Sequence, residues 1–179
     1  MRCFIGIELP SYIKQNLAHL QKQIGNKYAK IKWVLPKNIH QTLKFLGELD
    51  RDEIELVEEA LANIKFKRFT MRLDKIGWFP NDDRINVIWI GLKPEKNILN
   101  LHGETELKLG SLFKKDDKFS VHLTVGRVKF VKNREKLLSD LKRANVQRDS
   151  FLVKDFSLTV SELTRDGPKY KTIRKYDLE

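Results

Sequence analysis

Two stretches of the chain carry one four-residue pattern, His40-Gln41-Thr42-Leu43 and His122-Leu123-Thr124-Val125. With only four histidines and seven threonines among 179 residues, chance recurrence of an imidazole and a hydroxyl at one spacing is rare. In an extended strand, residues i and i+2 project to the same face. His40 and Thr42 therefore share a surface, as do His122 and Thr124, while Gln41, Leu43 and the run Val121, Leu123, Val125 turn the other way. Two such surfaces lining one cleft would form a symmetric acid/base pair flanked by hydroxyl donors. Histidine titrates near neutrality, so one ring can activate a nucleophile while the other protonates a leaving oxygen, an effect worth about 10²–10⁴-fold in rate. This equipment suits cleavage of a phosphodiester without a metal ion, with the threonines holding the non-bridging oxygens.

Arg127 lies five residues beyond His122 and would add a guanidinium to the same anion. In a regular strand that odd offset turns it away from His122. Gly126 is the position where a bulge could re-aim it. Neither motif contains a carboxylate and no H-E-x-x-H occurs, so no metal site is expected. His19 and His102 fall in predicted helices and read as surface or packing residues. The glycines form neither a P-loop nor a dinucleotide fingerprint.

The chain has 35 Lys and Arg against 24 Asp and Glu, a formal net charge of +11, which favours a polyanionic partner such as nucleic acid. At 41% hydrophobic residues it can build a core, and its length suits one domain over 1–179. No apolar run approaches the ~20 residues of a membrane-spanning helix. The opening residues do not form a signal peptide, and Cys3 is the only cysteine, which fits a cytoplasmic protein without disulfides.

Hydrophobic periodicity places a strand at 2–9, with Phe4, Gly6 and Glu8 on one side and Cys3, Ile5, Ile7 and Leu9 on the other. A helix follows through Ile13, Leu17, Leu20 and Ile24, stopping near Gly25. Extended segments are expected at 32–35 and 39–46, and Asp50 caps a helix carrying Ile54, Val57 and Leu61. A hairpin pairs 66–78 with 85–92, and a helix at 95–109 carries Ile98, Leu101 and Leu107. Strands at 119–129, 151–160 and 170–176 and a helix at 133–143 complete the chain. Hairpins interleaved with helices predict an α+β fold with antiparallel sheets.

The segments His40-Gln41-Thr42-Leu43-Lys44-Phe45-Leu46-Gly47-Glu48 and His122-Leu123-Thr124-Val125-Gly126-Arg127 resemble the two-histidine (2H) phosphoesterases. Within them they resemble the LigT/ThpR-type RNA 2′,3′-cyclic phosphodiesterases, also called RNA 2′-5′ ligases. The opening Arg2-Cys3-Phe4-Ile5-Gly6-Ile7-Glu8-Leu9-Pro10 is similar too, as are Ser161-Glu162-Leu163 and Gly167-Pro168-Lys169-Tyr170. The resemblance implies a bilobal fold in which two sheets form a V-shaped cleft with helices outside and one H-x-T motif per lobe. The termini would belong to one lobe and the middle segment to the other. It makes His40 the proton donor, His122 the proton acceptor, and Thr42, Thr124 and Arg127 phosphate ligands. The implied reaction opens an RNA 2′,3′-cyclic phosphate to a 2′-phosphate, with no cofactor, no metal and a monomer as the default. Two other readings stay open. One is 2′-5′ ligation by the reverse chemistry. The other is a non-catalytic RNA-binding module with Phe4, Trp33 and Trp78 as candidate stacking residues.

Overall fold

A computed structural model describes residues 1–165 and 167–179. Among them, strands and helices follow in the order β1 (Arg2–Glu8), α1 (Ser11–Ile24), β2 (Ala29–Trp33), β3 (His40–Glu48), α2 (Arg51–Ala62), β4 (Phe69–Pro80), β5 (Ile85–Lys93), α3 (Glu95–Leu109), β6 (His122–Val131), α4 (Arg134–Arg143), β7 (Ser150–Val153), β8 (Asp155–Thr164) and β9 (Gly167–Asp177). One sheet has the order β3-β1-β8-β9 and the other β2-β6-β5-β4-β7, with antiparallel pairing throughout. The expected α+β class holds, and each sheet carries one H-x-T strand.

Local sequence explains most elements. Helix α1 buries Ile13, Leu17, Leu20 and Ile24 at helical spacing, and the chain leaves it through Gly25 at φ 63°, a conformation that favours glycine. Asp50 and Glu53 form a reciprocal capping box at the start of α2, both bonds 2.9 Å, a feature worth about 1 kcal/mol. Asn133 caps α4 in the same manner, accepting from the Lys136 amide. Between β4 and β5 the Asn81 side chain accepts from the Asp83 and Arg84 amides and closes the expected hairpin.

Three expectations need correction. The extended segment expected at 32–35 starts earlier, as β2, and joins the sheet of the middle segment although it lies near the N-terminus. The strand expected over 151–160 is two strands in different sheets, β7 and β8, because the chain crosses between lobes at residue 154. Of the apolar residues expected along the 95–109 helix, Leu107 is 72% exposed, and Leu109 rather than Leu107 joins Ile98 and Leu101 in the core.

Helices α1 and α3 cross between the sheets. Helix α1 leaves β1 of the four-stranded sheet and packs on β6 of the other, while α3 leaves β5 and packs on β3. One apolar cluster accordingly joins Ile5, Leu43 and Phe156 to Ile88, Ile90 and Leu123.

Both motif strands carry an extra residue directly after the threonine. On β3, Thr42 faces Gly6 and Lys44 faces Ile5, so Leu43 is the bulged residue. On β6, Thr124 faces Trp89 and Gly126 faces Ile88, so Val125 is the bulged residue. A helix side chain holds each bulge carbonyl: His102 Nδ1 from α3 donates to Leu43 O at 2.9 Å, and Gln21 Nε2 from α1 donates to Val125 O at 2.9 Å. The His102 ring also stacks on Phe119, centroids 3.7 Å apart. A bulge delays the strand's alternation by one residue.

On β3 that delay turns Lys44 into the interior, where its side chain is 2% exposed. Lys44 Nζ donates to Glu106 Oε1 at 2.6 Å, to Asp116 Oδ1 at 2.9 Å and to the Lys114 carbonyl at 3.1 Å. Burial works against the ammonium, but hydrogen bonds and charge from Glu106 and Asp116 outweigh it and leave its pKa raised. The lysine thereby ties β3 to α3 and to the segment leading into β6. Lys44→Met removes one partner of a buried ionic network and is expected to lower unfolding free energy by about 3–5 kcal/mol, read from the denaturant midpoint. Adding Glu106→Gln should recover part of that loss, because an unpaired buried carboxylate is then removed.

Candidate active site

The first wall is built on β3, β1 and β9. His40 pairs with Glu8 and Thr42 with Gly6, which puts all four on one face of the sheet. His40 Nδ1 lies 2.8 Å from the Asn38 carbonyl. A carbonyl only accepts, so Nδ1 carries a proton and Nε2 is the working nitrogen. Thr42 Oγ1 lies 3.0 Å from that Nε2. The ring stacks on Phe4, centroids 4.5 Å apart, and Tyr170 meets it edge-on at 5.3 Å. Gly6 makes room for this stack: a Cβ there would lie 3.2 Å from His40 Cδ2 and 3.3 Å from the Phe4 ring.

The second wall repeats the scheme on β6, β5 and β4. His122 Nδ1 donates to the Ser120 carbonyl at 2.9 Å, two residues back as in His40, again leaving Nε2 for chemistry. Phe79 and Trp89 meet the His122 ring edge-on at 5.4 and 6.3 Å. Trp89 in turn lies over Gly77, where any Cβ would collide with the indole.

The bulge at Val125 resolves the parity problem posed by Arg127. Gly126 falls on the interior face, under Ile31 and Trp33, and Arg127 emerges exposed on the face of His122 and Thr124. Its charge reaches both walls, since it adds to the burial that lowers the pKa of His122 and partly offsets the burial that raises the pKa of Tyr170 across the cleft. Strands β3 and β6 approach each other although they belong to different sheets. The structure thus places His40 and Thr42 on one face of the four-stranded sheet and His122, Thr124 and Arg127 on one face of the five-stranded sheet, with both rings partly open to solvent.

The rings are not electrostatically equivalent. Both have pKa values below the ordinary 6.5, and burial is the main cause in each. For His40 the Asn38 bond opposes burial, Lys14 adds to it, and Glu8 favours the cation. For His122 the Ser120 bond opposes burial and Arg127 disfavours the cation.

Sequence patterning missed the supports of this site. Gln21 and His102 hold the bulges, and Tyr170 braces His40 from a strand 130 residues away. Only the repeated apolar residue after each threonine hinted at matched supports. Trp33 and Trp78 pack against the core, so of the candidate stacking residues only Phe4 reaches the site wall. His102, Glu106 and Asp116 have potential ligand atoms within 4.8 Å of one another, the metal-like cluster found among the described residues. The Lys44 ammonium already bridges its two carboxylates, which does not fit a resident cation.

Comparison with known proteins agrees with this geometry. An RNA 2′,3′-cyclic phosphodiesterase of Methanocaldococcus jannaschii is 37% identical over 178 residues, covering 98% of this chain and all of that one. A protein of the same name from Archaeoglobus fulgidus is 36% identical, covering 99% of this chain and all of that one. A crystal structure from Thermus thermophilus superposes with a TM-score of 0.83 at 26% identity, covering 99% of this chain and 97% of that one. The description "LigT like Phosphoesterase" matches twice, over residues 7–89 and 90–170, so that each match contains one H-x-T strand. The chain belongs to the LigT-like phosphoesterase family.

Proposed function

We propose that the protein is an RNA 2′,3′-cyclic phosphodiesterase, acting as one unit over residues 1–179, as a monomer in the cytoplasm and without a metal ion. The observation that carries this reading is the pair of imidazoles on matching H-x-T strands, each pinned through Nδ1 to a carbonyl two residues back so that Nε2 is left for chemistry. Relatives named for that activity match over nearly the whole chain and support it.

In the proposed reaction His122 Nε2 takes a proton from water, and the resulting oxygen attacks phosphorus. The bond from phosphorus to O3′ breaks, and the proton on His40 Nε2 passes to O3′, leaving a 2′-phosphate. Thr42, Thr124 and Arg127 hold the phosphoryl oxygens as negative charge builds. The division of labour is the one the family resemblance implies: Arg127, beside His122, favours the neutral acceptor, while at His40 Lys14 opposes and Glu8 favours the protonated donor.

His40→Ala or His122→Ala is expected to lower turnover of a nucleoside 2′,3′-cyclic phosphate by about 10²–10⁴-fold, with a 2′-phosphate as the wild-type product by phosphorus NMR. Retention of wild-type turnover by either variant would falsify the two-histidine assignment. The kcat/KM profile is expected to be bell-shaped with both limbs below the ordinary histidine value of 6.5, since both folded-state pKa values are lowered. Arg127→Met should cost about 10²-fold in kcat/KM. It should also move the acidic limb to higher pH, because loss of the guanidinium raises the pKa of His122. An unmoved limb would remove Arg127 from the neighbourhood of the base.

A further inference from the structure

A cavity of about 330 Å³ opens beside His40 on the wall formed by β1, β3, β8 and β9. Lys14 from α1, Lys37 from the turn before β3 and Lys169 from β9 converge on it, and Tyr170 forms part of its side. Ser157 and Thr159, 2% and 5% exposed, place two hydroxyls 3.2 Å apart on its inner surface. Among the described residues the one carboxylate on the lining, Glu8, has Lys175 Nζ at 3.8 Å. A space with three cations, two hydroxyls and an aromatic side has the composition of a site for a sugar with a phosphodiester attached.

We infer that this cavity seats the RNA on the 5′ side of the cyclic phosphate, with Lys14, Lys37 and Lys169 meeting the phosphodiester behind the terminal nucleoside. The inference rests on the proposed reaction. If His40 protonates O3′, the terminal ribose lies against His40 and the strand departs along that wall. The opposite wall has its own basic strip. Lys32 pairs with Arg127, and Lys30 pairs with Phe130, which is 63% exposed. That strip flanks His122 and the attacking water, so it is the alternative path if the two rings exchange roles.

The test compares cytidine 2′,3′-cyclic phosphate with adenylyl-cytidine 2′,3′-cyclic phosphate, which adds one nucleotide and one phosphodiester. The wild-type protein should turn over the dinucleotide with a kcat/KM about tenfold higher, and the advantage should shrink between about 50 and 200 mM salt. Joint replacement Lys37→Gln and Lys169→Gln should cut the dinucleotide value about tenfold and move the mononucleotide value less than about twofold. Mononucleotide turnover also certifies that the variant is folded. Lys30→Gln with Lys32→Gln should leave the advantage intact. Equal use of the two substrates by the wild type, equal losses in the Lys37/Lys169 variant, or loss of the advantage in the Lys30/Lys32 variant would each overturn the inference. Should neither cyclic phosphate be turned over, the hydrolase reading fails on its own. The same comparison of equilibrium affinities for the two 2′-phosphate products then decides the cavity's role.

Discussion

The site depends on two β-bulges placed directly after the motif threonines, each clasped by a helix side chain. Without the bulge at Val125, Arg127 would face the core and a glycine would face the cleft. Without the bulge at Leu43, the Lys44 ammonium would stand beside His40 on the cleft face, and its ion pairs with Glu106 and Asp116 would be lost. The supports are reciprocal. Gln21 lies in the first family match and holds the bulge of the second, while His102 lies in the second and holds the bulge of the first. Each half of the chain thus sets the strand geometry of the other.

Duplication makes the scaffold symmetric, and the surroundings of the two rings break that symmetry. His40 is stacked on Phe4, met edge-on by Tyr170, and lies in the fields of both Lys14 and Glu8. His122 is bordered by Phe79 and Trp89 and lies in the field of a guanidinium. A reaction that needs one proton source and one proton sink calls for such unlike environments around like groups.

Much of this was legible in the amino-acid order because the relevant periods are short. The shared face of His40 and Thr42 follows from alternation over three residues, and the cap of α2 from a four-residue box. Gly126 marked the bulge region on β6. Longer-range facts left weaker traces. The crossing at residue 154 has no glycine or proline to punctuate it, so β7 and β8 read as one strand. His102 read as a packing residue, and its bond to Leu43 spans 59 positions that no local pattern connects. The inward turn of Lys44 was equally hidden, because a charged residue at even spacing from His40 points to the cleft unless a bulge intervenes.

The carbonyls that grip Nδ1 of both histidines also constrain what happens between turnovers. Each ring is held by its far nitrogen and has a single exchangeable position, so neither can reset by rotating or by changing tautomer. In the proposed reaction one hydrolytic cycle leaves the former donor neutral and the former acceptor charged, the starting arrangement for the opposite direction of the same reaction. Restoring the forward arrangement takes a net proton from one ring to the other by way of solvent, for which both rings keep an open edge. Catalytic direction is therefore re-established by bulk water after each event, and proton relay through the cleft becomes a step in its own right.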